Sequence, residues 1–85
     1  MKQVEIYTLE YCPYCQKAKI FLKSHGIEFN EIQCDDDEDE KRQELTKKYN
    51  LPYLATFPQI IIDNVNIGGY SDMMDKFQKG ELSFE

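Results

Sequence analysis

Two cysteines separated by two residues, Cys12-Pro13-Tyr14-Cys15, stand out as a pair whose type and spacing could do chemistry. Disulfide exchange runs through a thiolate, because the neutral thiol is a poor nucleophile. A free cysteine has a pKa of about 8.5, so little of it is ionised near neutrality. The start of a helix changes that balance, since unpaired N–H groups and the positive end of the helix dipole favour the anion. Pro13 is suited to a first helical position, where its missing N–H leaves no bond unmade. Cys12 is then the N-cap residue, with a pKa expected within roughly 3.5–7.5. Cys15, one turn on, lies deeper and further from the helix start. It should remain a thiol and displace a mixed disulfide formed at Cys12.

Other readings of the pair are weaker. Two cysteines at this spacing can fall in a core helix by chance, but Pro13 between them and a strand pattern just upstream argue otherwise. Structural zinc requires a full tetrahedral ligand set. Beyond the pair there remain only Cys34 and His25, with no second closely spaced pair. Cys34 is expected to be a buried packing residue, and His25 to cap or decorate a helix end.

The dithiol needs a strand before it and a helix after it. Val4–Tyr7 alternates apolar and polar positions, as a half-buried strand does, and residues 9–11 form the loop that leaves it. Ala18, Phe21 and Leu22 mark one buried helix face, and Gly26 ends that helix. Residues 27–33 are expected to be a second strand, with Phe29 and Ile32 as apolar content. Residues 38–49 read as a second helix, acidic early and basic late at Lys47 and Lys48, which complements the helix dipole. Asn50 suits the left-handed cap position. A connector, residues 51–55, leads to Pro58 and to the β-prone run 59–63. Asn64-Val65 is expected to turn into a short strand, Asn66-Ile67, which Gly68-Gly69 interrupts. Ser71 would cap a last helix running to about Lys79, with Gly80 ending it.

The order is therefore β-α-β-α-β-β-α. Its first β-α-β unit should be parallel, and its late β-β pair should form an antiparallel hairpin. A four-stranded mixed sheet with helices on both faces satisfies the pattern.

Composition narrows the class. A chain of 85 residues makes one domain, residues 1–85, and 41% apolar content with 5 Phe and 6 Tyr suits a globular core. The net charge of −6 argues against nucleic acid as a partner. Residues 35–40 are acidic throughout and read as a solvated turn leading into the second helix. No apolar run reaches the roughly 20 residues that span a bilayer. The N-terminus enters a strand pattern without the apolar core of a signal peptide, so the cytosol is the expected compartment.

With these residues in place the chain resembles a glutaredoxin over nearly its whole length. Three segments carry the resemblance: Cys12-Pro13-Tyr14-Cys15, Thr56-Phe57-Pro58-Gln59 and Gly68-Gly69-Tyr70-Ser71-Asp72. The resemblance implies the thioredoxin fold. It implies reduction of protein disulfides, and with preference protein–glutathione mixed disulfides, by a monomer using glutathione as reductant and no metal. It makes Cys12 the nucleophile and Cys15 the resolving cysteine, with a redox poise of about −200 to −230 mV. Tyr14 and Thr56 would line the glutathione groove. Pro58 would be in the cis form, exposing the backbone of Phe57 for a glutathione cysteine to pair with like an added strand. Gly68 and Gly69 would let the backbone approach the ligand. Tyr70, Ser71 and Asp72 open a helix whose N-terminus suits the γ-glutamyl carboxylate, and Asp72 could also pair with its ammonium. By themselves, Gly68-Gly69 could be only a turn and Ser71 only a cap.

This chain differs from the usual pattern in three ways. Leu9 stands where many members carry a lysine that helps hold the glycine carboxylate of glutathione. Arg42 could supply that contact instead, or it could make a surface ion pair. The connector 51–55 is longer than usual, and Phe57 replaces a small aliphatic residue. Two other activities fit the same fold: a redoxin reduced directly by a flavin enzyme of the thioredoxin reductase type, and a carrier of an iron–sulfur cluster ligated by Cys12 and glutathione.

Overall fold

The computed structural model describes residues 2–84. Its elements run β1 (Val4–Thr8), α1 (Pro13–Ser24), β2 (Asn30–Gln33), α2 (Glu38–Lys48), β3 (Gln59–Ile62), β4 (Val65–Gly68) and α3 (Tyr70–Gln78). The strands form one mixed sheet in the order β2-β1-β3-β4. Here β1 is parallel to β2 and antiparallel to β3, and β3–β4 is an antiparallel hairpin. The expected element order and sheet are both present, and the arrangement is that of the thioredoxin fold.

Alternation along the central strands divides the core. Val4, Ile6, Ile60 and Ile62 point to one face, where Ala18 and Leu22 of α1 and Met73 of α3 complete a buried cluster. Ile61 is also fully buried, yet alternation sends it to the opposite face. Leu45 is the buried residue that α2 contributes. All of β3 is buried, as expected of a strand with neighbours on both edges and cover on both faces. Leu82 and Phe84 in the C-terminal tail pack onto the first cluster, and the Lys2 N–H donates to Phe84 O at 3.1 Å.

All three helices stop in the same way. The residue after each cap, Gly26, Asn50 or Gly80, has a left-handed φ of 68°, 52° or 71°. The next N–H then reaches back to a carbonyl five residues earlier: Ile27 to Leu22, Leu51 to Thr46, and Glu81 to Lys76, each at 2.9 Å. These are Schellman closures, which satisfy carbonyls that a helix end otherwise leaves open. One closure explains why β2 is shorter than the predicted 27–33. The Ile27 N–H is spent on α1, and Ile27 and Phe29 pack into the core rather than join the ladder.

Two further boundaries differ from expectation. The hairpin turn is Asp63-Asn64, not Asn64-Val65, because both residues take left-handed φ values of 49° and 68° and Ile62 pairs with Val65. A two-residue turn of this kind matches the twist of its strands. Ser71 does not cap α3. Gly69 is the N-cap, and its N–H donates to the carboxylate of Asp72 at 3.0 Å. Asp72 therefore closes the first turn from inside the helix, and Ser71 lies in the helix itself.

Candidate active site

Cys12 takes an extended conformation, φ −135° and ψ 101°, at the N-cap of α1, with Pro13 at the first helical position. The Cys15 N–H donates to Cys12 Sγ at 3.2 Å, and Gln16 N–H donates to Cys12 O at 3.1 Å. An N-terminal helical N–H is thus aimed at the sulfur, where it stabilises the thiolate more than the thiol. The two cysteines are joined as a disulfide, with Cα atoms 5.1 Å apart. The structure therefore presents the oxidised form of the pair. Cys15 is fully buried, while Cys12 is partly accessible. That asymmetry leaves Cys12 as the sulfur that an outside thiol or disulfide can reach.

Across from the dithiol, the Phe57–Pro58 peptide bond is cis. Phe57 O lies 3.7 Å from Cys12 Sγ, so a backbone acceptor stands beside the reactive sulfur. From there a cleft of about 210 Å³ runs to the start of α3. Tyr14, Thr56, Phe57 and Pro58 form its near end, and Gly69, Tyr70, Ser71 and Asp72 its far end. The rings of Tyr14 and Tyr70 sit 6.0 Å apart across it, and the Lys17 ammonium stands 5.2 Å over Tyr14.

Glycine is required at Gly68, next to the far end. Gly68 has φ +107°, and an added Cβ there would fall 2.8 Å from Asp72 Cγ. An added Cβ on Gly69 would meet Pro58 O at 3.4 Å. The turn between β4 and α3 can therefore bring its backbone against the cis-proline segment.

This combination of an N-cap dithiol facing a cis-proline also has sequence counterparts. The glutaredoxin family model matches residues 4–67.

The chain belongs to the glutaredoxin family.

It is 46% identical over 77 residues to glutaredoxin 1 of Rickettsia bellii, covering 91% of this chain and 79% of that one. It is 43% identical over 82 residues to glutaredoxin 3 of Escherichia coli strain K12, covering 96% and 94%. Among solved structures, glutaredoxin 1 from Francisella tularensis, complexed with cacodylate, superposes with a TM-score of 0.83 at 32% identity, covering 93% and 95%. As a glutaredoxin with both cysteines of the redox pair present, the protein is a thiol–disulfide oxidoreductase.

Of the residues the sequence assigned to a glutaredoxin's ligand groove, Arg42 is not on the cleft wall. Its Nε and Nη2 both donate to Glu38 Oε2, at 3.1 and 2.7 Å, and its Nη1 donates to Ala55 O at 2.9 Å. Its guanidinium also lies 5.0 Å over the Phe57 ring. The ion-pair alternative is thus what the structure displays, with a contact to the connector added. Two residues of the wall were not foreseen. Tyr53 reaches it from the connector while 63% exposed. Gln59 lies buried behind Thr56, its Nε2 donating to Thr56 O at 2.8 Å and its Oε1 accepting from Asn66 at 3.0 Å. A polar residue opening an otherwise apolar β run was the available signal for Gln59.

The remaining thiol and the histidine are not part of this site. Cys34 is fully buried, and burial, its largest influence, pushes its pKa up, with Asp37 acting in the same direction. The His25 ring packs against both Phe21 and Phe77, and its Nδ1 stands 3.0 Å from Phe21 O at the end of α1. Among the described residues no group of three or more His, Cys, Asp or Glu is arranged to hold a metal ion.

Proposed function

We propose that this glutaredoxin is a cytosolic monomer that reduces protein disulfides and, with preference, protein–glutathione mixed disulfides, using glutathione as its reductant. One observation carries the reading. A single cleft runs from Phe57, whose carbonyl lies 3.7 Å from Cys12 Sγ, to the N-terminus of α3, and a tripeptide laid along it would meet both. A cysteine backbone would pair with the main chain of Phe57 like an added strand. The γ-glutamyl carboxylate would meet the N–H groups at the start of α3. The Asp72 carboxylate, already holding the Gly69 N–H, has capacity left for the γ-glutamyl ammonium.

In this reading the Cys12 thiolate attacks the glutathionyl sulfur of a mixed disulfide. The old S–S bond breaks, the protein thiolate leaves and takes a proton from solvent, and Cys12 carries the glutathionyl group. A second glutathione thiolate attacks that sulfur, releasing glutathione disulfide and restoring the Cys12 thiolate. With a protein disulfide, Cys12 attacks first and Cys15 then displaces it. The reduced protein leaves, and the Cys12–Cys15 disulfide remains to be reduced by two glutathione molecules.

The test is turnover of a small glutathione mixed disulfide, coupled to glutathione and glutathione reductase, compared with turnover under thioredoxin reductase alone. Turnover only in the glutathione system is expected. Comparable rates with thioredoxin reductase would assign the protein to the directly reduced redoxins.

A further inference from the structure

The connector before the cis-proline is fastened to α2 through both polar groups of one residue. Ala55 is fully buried. Its N–H donates to Thr46 Oγ1 at 2.8 Å, and its carbonyl accepts from Arg42 Nη1 at 2.9 Å. Thr46 Oγ1 in turn donates to Arg42 O at 2.6 Å, one turn back along the helix. With its proton committed there, the hydroxyl presents a lone pair to Ala55. Arg42 is equally committed, since Glu38 holds its Nε and Nη2 and the Phe57 ring lies beneath its guanidinium. The contacts given above from this group to the segment before Pro58 fall on Ala55 and Phe57, and Phe57 O is the carbonyl beside Cys12 Sγ.

We propose that Thr46 and Arg42 are positioning residues that hold the Thr56–Phe57 backbone at the distance from Cys12 where a substrate's cysteine pairs with it. The inference rests on the strand-pairing mode of binding stated above but requires nothing specific to glutathione. It concerns peptide backbone of any sequence around the attacked sulfur. The clamp does not touch Cys12, so it sets capture of the substrate and not the nucleophilicity of the thiolate. It also gives Arg42 a role other than holding a ligand carboxylate.

Three disulfides separate these roles in single-turnover reactions of the reduced protein. Glutathione disulfide carries backbone and free carboxylates. The disulfide of a capped Gly-Cys-Gly amide carries backbone without carboxylates. Hydroxyethyl disulfide carries neither. Thr46→Val removes the acceptor for the Ala55 N–H and should slow both peptide disulfides by about 3–10-fold, the range one neutral hydrogen bond spans. It should leave hydroxyethyl disulfide within about twofold of the wild-type rate. Thr46→Ser keeps the hydroxyl and should restore the peptide rates. Arg42→Gln, at a partly exposed site, should repeat the selective loss and serves if the valine variant does not fold. In each folded variant the pH profile of Cys12 alkylation should match the wild type.

Equal slowing on all three disulfides, or no slowing on the capped peptide, would overturn the clamp. Loss on glutathione disulfide alone in Arg42→Gln would overturn it for Arg42 in favour of a carboxylate contact. If the wild type prefers the capped peptide to glutathione disulfide, the glutathione reading fails. The clamp is still decided by the variants on the capped peptide.

Discussion

At the scale of single residues, the difference between Cys12 and Cys15 is one of position. Cys12 accepts the Cys15 N–H at the helix start and is accessible, whereas Cys15 is sealed in the core. Cys12→Ser should therefore abolish turnover of every disulfide. Cys15→Ser should keep activity on glutathione mixed disulfides and lose dithiol reduction of protein disulfides, both read in coupled assays. Equal loss in the two variants would contradict this division of labour. Cys34 gives a control for the same argument. Its burial and raised pKa both oppose thiolate formation. Mild alkylation of the native reduced protein should leave Cys34 unmodified by mass spectrometry, and denaturant should expose it. The N-cap place of Cys12 and the burial of Cys15 and Cys34 were legible in sequence, because they follow from local position in a helix or strand. The surroundings of Arg42 were not. Its ion pair with Glu38 follows i, i+4 spacing, but its bond to Ala55 and its place over Phe57 depend on how a long connector folds back.

At the scale of elements, the proposed function asks one side chain of α3, Asp72, to serve a ligand as well as the fold. The sequence indicated a helix start near Ser71 and a stop at Gly80, and the stop is where the structure has it. The start moved because an aspartate at the third helical position can reach back to a glycine N-cap, a local competition that residue type alone does not resolve. Two variants separate the duties of Asp72. Asp72→Asn keeps an oxygen acceptor for the Gly69 N–H and removes the charge. Its unfolding midpoint should stay close to wild type while its KM for glutathione mixed disulfide rises. Asp72→Ala removes both and should also lose about 1 kcal/mol of stability, the usual worth of such a cap. Urea unfolding and steady-state kinetics on the pair check this. An asparagine variant with unchanged KM would leave Asp72 a purely structural role. The shortened β2 teaches the same lesson, since Ile27 is drawn into a helix closure and Ile27 and Phe29 into the core before they can extend the ladder.

At the scale of the whole molecule, one polar tie joins the element that carries the dithiol to the sheet beneath it. Glu31 on edge strand β2 accepts from Thr8 of β1 at 2.8 Å and from Lys19 of α1 at 2.9 Å. Burial pushes the Glu31 carboxyl up. The hydrogen bonds from Lys19 and Thr8, with the Lys19 charge, outweigh it and hold the carboxyl below its ordinary value of 4.5. A carboxylate whose pKa is lower when folded stabilises the fold above its unfolded value. That contribution disappears as pH falls through the folded value. The protein carries a net charge of −6 at neutrality, so mild acidification first relieves repulsion among its carboxylates. Stability should therefore hold or rise slightly toward the isoelectric region and then fall in more acid solution, as Glu31 takes up a proton. Glu31→Gln isolates the tie. Urea unfolding near neutrality should show the variant less stable by up to about 1 kcal/mol, because the pair is partly exposed and screened. Once the pH lies far enough below 4.5 for Glu31 to be protonated in the folded protein the gap should close, since both proteins then carry a neutral group at this position. A gap of the same size at both pH values would mean that the side chain acts through packing alone, and the electrostatic link from β2 to α1 would have to be abandoned.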